Sequence, residues 1–219
     1  VRQVSMKRKL LVVCGQTGPG KTSLAIALAK EFNGEIVSAD SRQVFRGLDI
    51  GTGKDLEKIT ESKIRIWGYD LIDPKKSFSV GKYLKFVNKV IGDIYERGRL
   101  PILVGGTGLF IKGVVDGIPT AFVPRNLRLR KNLKDKLPIE LFEILAHLDP
   151  IKAGSMNVSD RLNPRRLVRA IEVATRTLEG KGPVVFRGPR YDVLEIGLFA
   201  PYPYLANKIS KRVDERIAA

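Results

Sequence analysis

Apolar residues along the chain come in two textures. Short β-branched runs alternate with segments whose apolar positions recur every three or four residues. "KLLVVCG" (9–15) is a run of the first kind and predicts a buried parallel strand that ends at a glycine. "KTSLAIALAKEF" (21–32) is of the second kind, and its spacing predicts a helix with Leu24, Ala27, Leu28 and Phe32 on one face. "GEIVSADS" (34–41) predicts a second strand ending at Asp40. "VGKYLKFVNKVIGDIYERG" (80–98) predicts an amphipathic helix with an apolar stripe of Tyr83, Phe86, Val87, Val90, Ile91 and Ile94, stopped at Gly98. "LPILVGGTG" (100–108) predicts a third strand that runs into another glycine turn. This alternation specifies an α/β fold with a parallel sheet flanked by helices.

From Asp116 the texture changes. "RNLRLRKNLKDKLPIELFEILAHLDP" and "NPRRLVRAIEVATRTLEG" are helical and basic, with no strand between them. "YDVLEIGLFA" then returns to strand character, and "YPYLANKISKRVDERIAA" opens a last helix. The expected organisation is an α/β core over 1–115 and 191–219, interrupted by a basic helical insertion over 116–190. A chain of 219 residues with 43% hydrophobic content suits such an arrangement.

Charge adds a partner class. The formal net charge of +16 favours capture of polyanions, nucleic acid among them. A single cysteine, Cys14, excludes an internal disulfide and a cysteine zinc site, and a single histidine, His147, argues against a histidine-ligated metal. No apolar run approaches the ~18 residues of a membrane span, and no secretory segment is present. The expectation is a cytoplasmic monomer whose natural start is either Val1 or Met6.

"GQTGPGKT" (15–22) carries the first chemistry. It fits a phosphate loop, in which Gly15, Gly18 and Gly20 let the backbone of Gln16, Thr17 and Pro19 wrap an anion. The following helix adds its positive end, Lys21 a mobile charge, and the Thr22 hydroxyl a ligand for Mg2+. This is specific for a bound di- or triphosphate and unspecific for the reaction. Asp40, at the carboxyl end of a strand, suits three tasks: a partner to Mg2+, a general base, or a helix cap.

"GQTGPGKT", "VSADSRQVFRGLDIGTGK", "LIDP…FSVGKY", "PILVGGTGLFI" and "NPRRLVRAIEV" occur in this order and with family-like spacing. Together they resemble the tRNA dimethylallyltransferases, also called tRNA isopentenyltransferases, from about Lys9 to about Arg216. The resemblance implies a P-loop NTPase-like core and transfer of a dimethylallyl group from its diphosphate. The acceptor would be the exocyclic amine of the adenosine on the 3′ side of the anticodon in tRNA. It implies Asp40 as general base, and Thr17 near the bridging oxygen of the diphosphate. Lys21, Thr22 and Arg212 match diphosphate and Mg2+ contacts. The segment Asp40, Ser41, Arg42, Gln43 matches the part that meets the target nucleotide. Thr107, Arg128, Arg165, Arg166 and Arg169 fall where tRNA contacts are expected in the anticodon stem-loop. Each has a plainer reading: a turn hydroxyl for Thr107, a solvated face for the arginines of 165–169, an exposed helix position for Arg212.

Two departures stand out. A segment the family writes "HHLID" reads "GYDLID" here, and members of the family continue into further helices, so the chain reads as shortened at its C-terminus. Rival functions on the same loop are an adenylate isopentenyltransferase acting on free AMP, ADP or ATP, a P-loop small-molecule or nucleotide kinase, and a non-catalytic RNA-binding remnant.

Overall fold

The computed structural model describes residues 8–183 and 191–218. Met6, and residues 184–190 at the end of the expected insertion, lie outside the described residues. Five strands form one parallel sheet: β1 Arg8–Gly15, β2 Gly34–Ser38, β3 Ile66–Trp67, β4 Leu100–Val104 and β5 Tyr191–Leu198. Their order is β3-β2-β4-β1-β5. Registers such as Leu11↔Ile102 and Ile36↔Ile102 place the apolar runs of β1, β2 and β4 side by side at the centre. The short β3 has no run of its own long enough to announce it, and the sequence reading does not include it.

Helices α1 Lys21–Glu31, α2 Asp49–Thr52, α3 Leu56–Ser62, α4 Val80–Glu96 and α5 Gly108–Val115 complete this part up to Gly117. On α1 the expected face is corrected. Ala25 and Ala29 are the fully buried positions, packed with Leu11, Val13, Ile36, Ile102 and Val104, while Phe32 is 56% exposed. Small side chains let the helix sit close on the sheet, and the expected Leu24 and Leu28 pack partly buried beside them, while Ala27 and Phe32 of the expected face are exposed. On α4 the buried positions are Tyr83, Leu84, Val87, Val90, Ile91 and Ile94, with Phe86 only half-buried. Ser79 caps its start by accepting the Lys82 N–H at 3.3 Å, and Gly98 follows its end with φ 67°. Tyr83 stacks on Phe110 (centroids 3.8 Å apart) and donates to the Ser38 carbonyl at 3.0 Å, which ties α4 and α5 to the last residue of β2.

The described residues divide into two compact units, 8–117 with 191–218 and 118–183. The second is all helical: α6 Leu127–Asn132, α7 Pro138–Leu148, α8 Pro150–Gly154, α9 Val158–Arg161 and α10 Pro164–Leu178. Its core joins Leu133, Leu141, Leu145, Met156, Leu167 and Ile171. One carboxylate organises it. Glu172, 3% exposed, accepts from Arg130 at 2.6 and 2.8 Å, from Arg169 at 3.1 Å and from the Asn126 N–H at 3.0 Å. Burial opposes its charge, but the bonds from Arg130, Asn126 and Arg169 outweigh it and hold the carboxyl below the usual range. Its stabilisation is therefore complete above the unfolded carboxyl range and is lost as pH falls through the lower folded value. Glu172→Gln is expected to lower stability by about 2 kcal/mol, less than a fully buried pair because both guanidiniums are partly solvated. A urea titration of this variant beside the parent chain checks it.

After β5 the chain enters α11 Tyr202–Ala218 in the first unit. No helix among the described residues is long and apolar enough to cross a membrane.

Candidate active site

All five strands point the same way, so their carboxyl ends gather at one edge of the sheet, where a parallel α/β fold keeps its ligands. The turn after β1 is there. Gly15, Gly18 and Gly20 take φ of 124°, 100° and 107°, values that strain any residue with a side chain. A Cβ on Gly15 would lie 2.1 Å from the Leu198 carbonyl oxygen. Gly20 caps α1 without a side-chain bond, so the helix start keeps free N–H groups facing the turn.

A cleft of about 700 Å³ opens beside this turn. Of the residues expected from sequence, Thr17, Gly18, Gly20, Lys21, Thr22, Asp40, Arg42, Gln43 and Arg212 line it together. Gly15, Gln16, Pro19 and Ser41 do not. The Gln16 side chain instead accepts the Ala200 N–H at 3.2 Å and fastens the turn to the start of the last helical segment. Residues sequence reasoning missed also line the cleft: Asp55, Lys58, Tyr69, Lys208 and Lys211. Nothing in their local pattern separates them from surface residues. Lining cations are Lys21, Arg42, Lys58, Lys208, Lys211 and Arg212, against Asp40, Asp55 and Glu215, six positive to three negative. The cleft is thus suited to an anion.

The Lys21 ammonium folds back on the turn, donating to the Gly15 carbonyl at 3.1 Å and to the Gln16 carbonyl. Burial pushes its pKa down; Asp40 raises it and Arg212 lowers it further. Asp40 accepts the Arg42 N–H at 2.8 Å through one oxygen, and the other takes no hydrogen bond from the described residues. Arg212, on α11, donates to Asp55 at 2.8 Å and to the Gly53 carbonyl at 3.2 Å. Gln43 accepts from Ser38 at 2.9 Å and donates to Gly53 at 3.2 Å. Beneath this segment Lys54 has a fully buried side chain. It donates to Asp49 at 2.6 Å, Asp70 at 2.7 Å and the Phe45 carbonyl at 2.9 Å, which pins 45–70 as a unit. Burial works against that charge, yet the two carboxylates raise its pKa.

Thr107 accepts the Ser41 N–H at 3.0 Å and donates to the Ser41 hydroxyl at 3.3 Å, so it acts as a turn hydroxyl that positions the chain after Asp40. The glycine before it matters for the same reason. A Cβ on Gly105 would fall 2.2 Å from the Ala39 carbonyl oxygen, next to Asp40. Gly105→Ala is expected to cost about 1–3 kcal/mol of stability and to displace Asp40. Thermal unfolding together with turnover per folded molecule checks it.

The other expected arginines lie in the second unit. Arg128 and Arg165 are exposed, and Arg166 is exposed and paired with Asp160. Arg169 turns inward, donating to Glu172 and to the Thr120 and Val123 carbonyls at 2.6 and 2.9 Å.

The "IPP transferase" family model matches residues 43–219. The tRNA dimethylallyltransferase 1 of Syntrophus aciditrophicus is 39% identical over 216 residues, covering 98% of this chain and 70% of that protein. That of Geotalea daltonii is 38% identical, covering 95% and 65%. Among solved structures, the full-length tRNA isopentenylpyrophosphate transferase of Bacillus halodurans superposes with a TM-score of 0.65 at 34% identity, covering 97% of this chain and 67% of that one. A eukaryotic dimethylallyltransferase acting on tRNA gives 0.79 at 25% identity, covering 96% and 53%. The chain therefore spans about two thirds of its curated relatives and about half of the eukaryotic one. By sequence and by fold, the chain belongs to the IPP transferase family of transferases.

Proposed function

We propose that the chain transfers a dimethylallyl group from dimethylallyl diphosphate to the exocyclic amine of the adenosine 3′-adjacent to the anticodon in tRNA, in the cytoplasm and as a monomer. The observation that carries this reading is that the Asp40 carboxylate and the Lys21 ammonium line one cationic cleft beside the glycine turn, in a member of this family.

The amine's lone pair is delocalised into the purine, so it attacks only a carbon already losing its leaving group. The turn N–H groups, Thr17, Lys21 and Arg212 hold the diphosphate, whose oxygen takes the electron pair of the breaking C–O bond. The amine nitrogen closes on the allylic carbon and its proton passes to Asp40. Arg212 exchanges its bonds to Asp55 and Gly53 for diphosphate oxygens, which its planar fork can meet two at a time. Arg42 and Gln43 face the acceptor nucleotide, and Ser41 and Thr107 set the backbone that presents them. Arg128, Arg165 and Arg166 serve tRNA phosphates, with Arg169 holding the turn at 120–123 beside them.

Mg2+ fits the residues present. It needs few protein ligands, all hard oxygens, and leaves the rest to water and phosphate. The Thr22 hydroxyl supplies such an oxygen in the cleft. Bound there, Mg2+ would add positive charge where the diphosphate gains negative charge.

Incubation of the chain with dimethylallyl diphosphate and either an anticodon stem-loop RNA or AMP, read by the mass of the nucleoside, tests the proposal. Prenylated adenosine in the RNA is the expected result. Product from AMP alone would assign the free-nucleotide reaction, and consumption of ATP without a prenyl donor would assign a kinase.

A further inference from the structure

A site built for a departing anion is hostile to the cation left behind. As the C–O bond lengthens, positive charge spreads over the allylic carbons. Lys21 and Arg212, which steady the diphosphate, repel that charge, and so do the other four cationic side chains lining the cleft. An aromatic face answers this without disturbing the anion, because its quadrupole is negative above the ring.

Tyr69 is the aromatic side chain that lines the cleft among the described residues. Its backbone is held on both sides. Gly68 before it has φ 98°, with the Ser38 carbonyl oxygen 3.1 Å from where a Cβ would stand. Asp70 after it has φ 56°, uncommon for a residue with a side chain. Lys54 holds the Asp70 carboxylate at 2.7 Å, and the same carboxylate accepts the Gly47 N–H at 3.2 Å. Two left-handed residues flank Tyr69 and set its direction into the cleft. The phenol makes no hydrogen bond to the described residues, so it is not committed to holding the fold. Burial, then the charges of Asp55 and Asp40, push its pKa up, so it stays neutral. The other apolar residues lining the cleft are Ile36, Ile66 and Val104, from β2, β3 and β4. With Tyr69 they make up the apolar lining available to a five-carbon tail.

We propose that the ring of Tyr69 packs against the dimethylallyl group and stabilises the positive charge that develops on its allylic carbons during transfer. This rests on the reaction proposed above. Tyr69 changes no bond: the C–O electron pair leaves with diphosphate, the amine forms the new C–N bond, and the proton goes to Asp40.

Single-turnover rates with dimethylallyl diphosphate and an anticodon stem-loop RNA test it. The series is the parent chain, Tyr69→Phe, Tyr69→Leu, and phenylalanines of increasing fluorination placed at 69. Donor affinity is measured separately with a thiol-bridged diphosphate analogue that does not ionise. Tyr69→Phe is expected within about threefold of the parent and Tyr69→Leu about ten- to thirtyfold slower, as loss of a desolvated cation–π contact requires. The logarithm of the rate should fall with each fluorine while affinity for the analogue holds, a trend that a packing role alone would not produce. A flat fluorine series, or a Tyr69→Phe loss as large as that of Tyr69→Leu, overturns the proposal in an active chain. A parent chain that prenylates neither RNA nor AMP overturns the transfer reading itself, and this one with it.

Discussion

Asp40→Asn is expected to slow prenyl transfer by about 10²–10⁴-fold, the range lost when a general base is removed. Donor affinity should stay within a few-fold. The substitution is nearly isosteric, and the amide oxygen can still accept the Arg42 N–H that the carboxylate accepts at 2.8 Å, so the turn after β2 keeps its form. What disappears is the charge that draws the proton from the attacking amine. Losing that charge also lowers the Lys21 pKa further, since Asp40 raises it. The direct check is a pair of measurements: single-turnover rate with saturating donor, and donor binding by calorimetry. A variant that turns over like the parent removes Asp40 as the base. A variant that loses donor binding and rate in equal measure assigns Asp40 to the diphosphate and Mg2+ instead.

Lys21→Ala is expected to weaken donor binding by about 10–100-fold, the worth of one or two charge-assisted hydrogen bonds. In the structure the ammonium rests on the Gly15 and Gln16 carbonyls, at the rim of the cleft. Its removal leaves those carbonyls to solvent and the turn conformation to the three glycines, so folding should survive. The pH dependence has a definite sign. Burial sets the Lys21 pKa below its ordinary 10.5, with Asp40 and Arg212 modifying it in opposite directions. A bound diphosphate favours the charged form. Donor affinity should therefore hold at neutral pH and decline as pH rises through the lowered value, and Lys21→Ala should flatten that alkaline decline. An unchanged donor dissociation constant in the variant would separate the turn from diphosphate binding.

The readable part of this molecule was its local grammar. β1, β2, β4, β5, α1 and α4 follow from runs, periodicity and glycine stops, and each appears close to the expected bounds. The glycine turn between β1 and α1 followed from Gly15 and Gly20, with Lys21 and Thr22 opening the helix. Where local pattern misled, packing was the reason. Phe32 satisfied the helical spacing of α1 but lies past the point where the helix meets the sheet, so alanines took the buried face. β3 is two residues long and exists because β2 pairs with it, at Ile36↔Ile66 and Val37↔Trp67.

Sequence by itself determined the class of fold, the glycine-rich turn after β1 and, through its ordered motifs, the family. It did so because strands, helices and turns depend on neighbours a few residues apart. Only the tertiary structure decided which side chains act together. It brought Arg212 to Asp55 across 157 positions, gave Thr107 to Ser41 across 66, and turned Arg169 inward to Glu172 and the carbonyls of 120 and 123. It also aimed Tyr69 into the cleft. In the first unit the physical cause is the parallel sheet, whose crossovers return every strand to the same edge and so assemble, at its carboxyl ends, residues that no local pattern relates; in the helical second unit it is the packing of α10 against residues 120–123.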